Sequence, residues 1–138
     1  MSTVIRAEIS ENNKYWINKH RHYELKHFCL QYPIWKTAYD SFNGIRTSSI
    51  GEDVFVNDQP GDPTAKLALL RAYYAEKMDI VEKAAMKADK DLYSYILRAV
   101  TEGLSYTYLK SRLDIPCSRD TYYDRYRRFF WILNESRK

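Results

Sequence analysis

The segment from residue 104 to residue 128 concentrates arginine, tyrosine and hydroxyl side chains in a pattern that suits contact with a polyanion. It reads LSYTYLKSRLDIPCSRDTYYDRYRR, with a proline-containing break between two helix-like halves. Arginine can pair through two N–H groups with guanine or clamp a phosphate, and the amides at a helix start attract phosphate. The candidate DNA-binding residues are therefore Ser105, Lys110, Ser118, Arg119, Asp120, Thr121, Tyr123, Asp124, Arg127 and Arg128.

The net charge of the chain lies in its last quarter. The 138 residues include 22 basic and 18 acidic side chains, and the segment from Gly103 to Lys138 holds eight of the basic and four of the acidic ones. Basic and acidic groups balance in the rest of the chain. A localised basic segment on a neutral body is expected where one element meets a polyanion, although a solvated surface helix has the same composition.

Three helices are predicted to position these side chains. Asp89 or Asp91 can cap the first, which ends at Gly103, and Ser105 and Ser118 can cap the second and third. In the third helix, aromatic and aliphatic residues recur at helical spacing and are predicted to face inward: Tyr122, Tyr126, Phe129 and Leu133. Four side chains of that helix are then expected to point outward: Asp120, Tyr123, Asp124 and Arg127. A short middle helix and a tight turn predict a helix-turn-helix over residues 89–138, with its third helix in the major groove.

Residues 1–88 are predicted to form a second helical region. The first helix covers Tyr15 to Gln31 and continues past Pro33 as a kinked extension, a new helix after Tyr32 being the alternative. Asn43-Gly44 should end it, and residues 44–62 should form a long loop.

Asp62-Pro63-Thr64 is a start signal for a long amphipathic helix of about seven turns. Its predicted inward stripe is Leu67, Leu70, Tyr74, Met78, Val81 and Ala85. This helix is expected to pack against the first one. The predicted fold class is thus all-α, an N-terminal helical hairpin followed by a C-terminal three-helix helix-turn-helix module.

The C-terminal module resembles a known DNA-binding element. EGLSYTYLKSRLDIP followed by SRDTYYDRYRRFFWIL is similar to the helix-turn-helix of sigma factor region 4, and more closely to that of phage transcriptional regulators of the RinA and ArpU type. The wider layout is also similar, with Tyr32-Pro33 in an N-terminal helix, a loop with glycines, and Asp62-Pro63-Thr64 opening a long helix. Three features depart from that pattern: Lys110, Arg112 and a turn lengthened by Pro116-Cys117.

The resemblance implies a phage or prophage regulator that binds double-stranded promoter DNA and activates late genes. It implies the cytoplasm of the bacterial host as location and host RNA polymerase as a further partner. A small terminase subunit that binds packaging sites is one alternative. A protein-binding adaptor or inhibitor that keeps the helical module without DNA binding is the other, and Lys110, Asp120 and Asp124 favour it.

Several other functions lack the residues that they need. No nucleophile-plus-base pattern, glycine-rich phosphate loop or paired-carboxylate arrangement occurs, so we expect no enzyme, no cofactor and no small-molecule ligand. The spacing of His20, His22, His27 and Cys29 does not suit a metal site. The longest apolar run, from Phe129 to Leu133, is far short of a membrane span, and no membrane association is expected.

That apolar run also predicts an interface. Five consecutive apolar residues surround a helix, so one inward stripe cannot bury them all. Phe130, Trp131 or both are therefore expected to be buried against the N-terminal hairpin or a second subunit, the alternative being a frayed terminus with a partly exposed tryptophan. We expect the protein to form a homo-oligomer. A dimer is favoured, because two-fold symmetry matches two half-sites on DNA.

Overall fold

The computed structural model describes residues 11–47 and 63–138, and this part of the chain is helical with no strand. The predicted all-α class is confirmed. The helices of the described residues are α1 (Lys19–Leu30), α2 (Tyr32–Thr47), α3 (Pro63–Ala88), α4 (Tyr93–Glu102), α5 (Tyr106–Leu113) and α6 (Arg119–Ser136).

The first predicted helix is two helices, so the favoured kinked extension is wrong. α1 starts after Asn18, whose side chain accepts from the amide of His20, and not near Tyr15. It ends at Leu30, and α2 begins two residues later. Pro33 has no amide hydrogen, so it cannot continue the hydrogen bonds of α1, but it is tolerated in the first turn of α2, where no such bond is needed.

The helix α2 does not stop at Asn43-Gly44. It continues through both residues to Thr47. A glycine inside a helix costs roughly 1 kcal/mol relative to alanine, which weakens a helix without ending it. The rest of the predicted loop, residues 48–62, lies outside the described residues, as does the proposed cap Asp62. The start of α3 at Pro63 and its length of 26 residues are as predicted.

The chain forms two compact units, and they differ from the predicted division into 1–88 and 89–138. One unit joins the chain up to Gln31 with Ile80–Lys138, and the other is Tyr32–Asp79. We call the first of these units the C-terminal body. It includes α1, because this helix lies against α4 and α6. The boundary therefore passes through α3, at a position that no change of composition marks.

Long-range contacts hold α1 against α6 within the C-terminal body. The Arg21 guanidinium donates to the Asn134 side chain at 2.7 Å and to the carbonyl oxygen of Arg137 at 3.1 Å, at the end of α6. The ring of His22 meets that of Phe130 edge-on, with 4.8 Å between centroids. The helix α1 thus packs on α4 and α6, a packing that was not predicted from the sequence.

In the Tyr32–Asp79 unit, α2 pairs with the first part of α3. The rings of Phe42 and Tyr74 stack at 6.0 Å, and the Lys77 ammonium lies 5.7 Å from the centroid of the buried Trp35 ring. Across the described ranges, 11–47 and 63–138, no helix has the length and apolar character needed to cross a membrane.

Candidate nucleic-acid interface

The turns on either side of α5 are closed by local hydrogen bonds. Gly103 ends α4 with φ of 73°, the left-handed conformation that the sequence predicts there. Ser105 begins α5, and its Oγ accepts from the amide of Tyr108 at 3.2 Å. Asp114 ends α5 with φ of 53°, and the Oγ of Ser118 accepts from the amide of Thr121 at 3.2 Å. The predicted caps Ser105 and Ser118 are therefore confirmed.

The turn between α5 and α6 is also tied down by longer side chains. The hydroxyl of Tyr106 donates to the carbonyl oxygen of Cys117 at 2.6 Å, and the amine of Lys110 lies 3.4 Å from the carbonyl oxygen of Ile115. Lys110, one of the departures from the family pattern, thus keeps its charge at the surface and bonds the turn. Ile115 is fully buried and anchors the turn from within.

The inward stripe of α6 supports the helix from beneath. Tyr122, Phe129 and Leu133 are buried, as predicted. Tyr122 belongs to an aromatic cluster in which its ring lies 5.7 Å from that of Tyr106 and 5.0 Å from that of Tyr123. Burial, followed by the neighbouring Tyr126 and Tyr123 hydroxyls, raises the pKa of Tyr122 well above its ordinary value. Its side chain is therefore a neutral hydroxyl at physiological pH.

The first turn of α6 is the most exposed part of the predicted DNA-binding set. Arg119, Asp120 and Thr121 are all exposed. The Arg119 guanidinium lies 5.1 Å from the centroid of the Tyr106 ring, a cation–π contact that holds it near the start of the helix. Asp120 stands in the first turn, where the helix dipole favours a carboxylate. Ser105, Lys110 and Ser118 are exposed as well.

Asp124 is engaged inside the chain. Its carboxylate pairs with the guanidinium of Arg125, which also donates to Asp89 at 2.9 Å. This network ties α6 to the turn before α4, where the Asp89 side chain also accepts from the amides of Asp91 and Leu92. Burial opposes ionisation of Asp89, but the hydrogen bond from Arg125 and the two amides hold its pKa below the ordinary value.

Arg127, which was expected to point outward, is half-buried. Its Nε is buried and has no hydrogen-bond partner among the described residues. The side chain lines a small cavity together with Tyr15, Ile17, His22 and Phe130. Tyr15, Ile17 and α1 cover this side of α6. The sequence did not reveal this packing, because these residues lie about a hundred positions before Arg127 in the chain. Tyr123 and Arg128 are half-buried.

Phe130 and Trp131 have different surroundings. Phe130 is buried against His22 of α1, Tyr126 and Phe129, as expected for at least one of the pair. Trp131 remains 37% exposed, and the Tyr15 ring lies 6.2 Å from it. The element that buries Phe130 is α1 and not a hairpin.

The four residues considered for metal binding differ in their exposure to solvent. Cys29 and His22 are buried, whereas His20 and His27 are exposed. Burial raises the pKa of the Cys29 thiol, against a smaller opposing effect of the nearby Arg137 charge. The described residues bring together no group of three histidine, cysteine or acidic side chains.

Comparison of the chain with protein-family models, with curated proteins and with solved structures found no match.

Proposed function

We propose that the chain is a double-stranded DNA-binding transcriptional regulator, in which α4, α5 and α6 form a helix-turn-helix and α6 enters the major groove. The observation that carries the proposal is the first turn of α6. It presents Arg119, Asp120 and Thr121 to solvent while Ser118 caps the helix and Tyr122 anchors it beneath. Base readout needs this combination of exposed polar side chains on a rigid, well-packed helix start.

Two features that favoured a protein-binding adaptor have structural explanations. The carboxylate of Asp124 is paired with Arg125, and the amine of Lys110 bonds the carbonyl oxygen of Ile115. Neither group then needs a protein partner to account for it. The charge balance also favours DNA, since the segment from Gly103 to Lys138 carries twice as many basic as acidic side chains.

The experiment is selection of bound sequences from random duplex DNA at a stated salt concentration, followed by affinity measurements on the recovered sequence. Arg119→Ala should weaken binding by about 1–3 kcal/mol, or roughly 5- to 150-fold, because a bidentate arginine contact is lost. Lys138→Ala is the matched control, since it removes an exposed cation at the other end of α6 and should have little effect.

Equal losses in both variants, with no recovered sequence, would contradict base reading by α6. Affinity should also fall steeply as salt rises, because several cations displace counterions from DNA. The phage origin, the activation of late genes and the contact with host RNA polymerase rest on the resemblance to the RinA and ArpU type, and they are part of the proposal.

We also propose that the protein is a homo-oligomer, with a dimer favoured. The Tyr32–Asp79 unit leaves four large apolar side chains exposed, an unusual amount for a small helical pair: Ile34, Leu69, Leu70 and Tyr73. A dimer by light scattering supports the regulator, whereas a ring of many subunits would favour a DNA-packaging protein like a small terminase subunit.

A further inference from the structure

Within the Tyr32–Asp79 unit, one side of α3 exposes large apolar side chains between two charged ones. Leu69 is 70% and Tyr73 is 52% exposed, and Lys66 and Glu76 are exposed before and after them. These four residues follow one another at steps of three, four and three, which places them on one side of the helix. We call this set the α3 seam. Its spacing is the one by which two helices pack in a coiled coil.

The helix α2 occupies a different side of α3. The Arg71 guanidinium lies 5.5 Å from the centroid of the Tyr39 ring, and the Tyr74 ring stacks on that of Phe42. Arg71 and Tyr74 therefore point towards α2. Tyr73 contacts only its neighbours along α3, since its ring meets that of Tyr74 and the ammonium of Lys77. The α3 seam is thus left for a partner outside this helix pair.

The charges and the apolar residues of the α3 seam are self-complementary. Lys66 and Glu76 have opposite charges, and neither makes an ion pair or hydrogen bond with a described residue. Both the 66–76 pair and the 69–73 pair are symmetric about position 71. A two-fold axis at that level, between two antiparallel copies of α3, therefore places Lys66 opposite Glu76 of the second copy. It also places Leu69 opposite Tyr73 of the second copy.

The residues at the centre of this arrangement leave room for it. Arg71 lies level with the axis, but its side chain is turned to Tyr39, so two arginines do not meet. Leu70, which is 42% exposed, comes level with the small side chain of Ala72 of the second copy. A parallel pairing in register would instead set lysine against lysine and glutamate against glutamate, which is unfavourable.

We propose that the α3 seam is the interface of a dimer, in which two copies of α3 pack antiparallel about a two-fold axis at position 71. This proposal rests on the homo-oligomer of the proposed function and names the surface that forms it. Leu69 and Tyr73 supply the apolar contact. The pairs of Lys66 with Glu76 of the second copy fix the direction of the helices.

The test reverses the two charges of the α3 seam and measures dimerisation by sedimentation equilibrium over a dilution series. The variants are Lys66→Glu, Glu76→Lys, both changes in one chain, and an equimolar mixture of the two single variants. Lys36→Glu and Asp40→Lys are matched controls, because they reverse exposed charges of α2 in the same unit.

Each single reversal sets like charges against each other at two symmetric positions, so it should weaken the dimer roughly 10-fold. The double variant and the mixture should both regain nearly the wild-type affinity, because opposite charges face each other again. Leu69→Ser removes an apolar contact twice and should weaken the dimer more than either reversal. The two controls should leave dimerisation unchanged.

Single reversals without effect, together with a mixture that associates more tightly than the wild type, would show parallel helices and overturn the proposal. A wild-type chain that stays monomeric at all concentrations would also overturn it. If a dimer forms but neither reversal nor Leu69→Ser weakens it, the interface lies elsewhere, and only the α3 seam is rejected.

A failure of DNA binding is separate from these outcomes. The wild type would then bind no duplex, while the pattern of reversal and recovery in the dimer would remain. All the substituted side chains are exposed, so the helix content by circular dichroism should be unchanged in every variant at the lowest concentration.

Discussion

The two parts of α3 follow one amphipathic pattern but differ in burial. In the part that belongs to the Tyr32–Asp79 unit, the stripe residue Leu70 is 42% exposed, and Leu69 and Tyr73 beside the stripe are more exposed still. In the part that belongs to the C-terminal body, Val81 and Ala85 are fully buried. Periodicity thus predicts a helix and its preferred face, whereas burial depends on whether other elements cover that face.

The two units also differ in the kind of side chain that they expose. The C-terminal body has a closed aromatic core and exposes polar side chains at the start of α6. The Tyr32–Asp79 unit exposes leucine and tyrosine instead. We therefore expect mutations in the C-terminal body to change the stability of the monomer, and mutations in the Tyr32–Asp79 unit to change association between copies of the chain.

The largest expected contrast is between two leucines. Leu25 of α1 is completely buried, so Leu25→Ala should lower the free energy of unfolding by about 2–5 kcal/mol through lost burial and a cavity. Leu69→Ala should change it by less than about 0.5 kcal/mol at low protein concentration. Urea unfolding with both variants measures this. A comparable loss for Leu69→Ala that persists on dilution would mean that the Tyr32–Asp79 unit is covered within the monomer.

A smaller contrast is expected within α3 itself. Ala85→Leu adds volume at a fully buried position and should cost about 1–3 kcal/mol by overpacking. Ala72→Leu makes the same change in the same helix at an exposed position, where less than about 0.5 kcal/mol is expected. The two melting temperatures give the comparison directly. Equal shifts would show that the last turns of α3 are less tightly packed than their burial indicates.

Local features of the fold were predictable from the sequence. The caps at Ser105 and Ser118 and the left-handed Gly103 depend only on neighbouring residues, so short motifs identify them. The position of α1 was not predictable, because contacts such as Arg21 with Asn134 join residues far apart in the chain. The burial of the Arg127 Nε follows from that same packing.

The candidate site divides in the same way. The exposed first turn of α6 follows from a cap and a helical stripe, whereas the network of Asp124, Arg125 and Asp89 does not. Asp124 pairs with Arg125, whose second partner Asp89 lies 36 positions earlier in the chain. Charge counting cannot separate a basic residue that is paired inside the chain from one that is free to meet DNA.

The smallest expected effect concerns the ion pair between Asp89 and Arg125, which ties α6 to the turn before α4. The pKa of Asp89 is lower in the folded chain than its ordinary value, so the ionised carboxylate stabilises the fold above about pH 4. That contribution is lost as the pH falls through the folded-state pKa.

Asp89→Asn keeps an oxygen that can accept from the amides of Asp91 and Leu92, but it removes the charge that Arg125 meets. At pH 7 the variant should be less stable by on the order of 1 kcal/mol, because the pair is partly exposed and screened by solvent. This difference from the wild type should become smaller when the pH is lowered from about 7 to about 3, because the carboxylate begins to take up protons, and it should also decrease in high salt. Asp91→Asn is the matched control at pH 7, since this exposed neighbour can lose its charge with a change below about 0.5 kcal/mol. Denaturant unfolding of the three proteins at both pH values measures the effect. A difference for Asp89→Asn that stays constant from pH 7 to pH 3 would mean that the charge of Asp89, and therefore its ion pair with Arg125, does not account for the loss of stability.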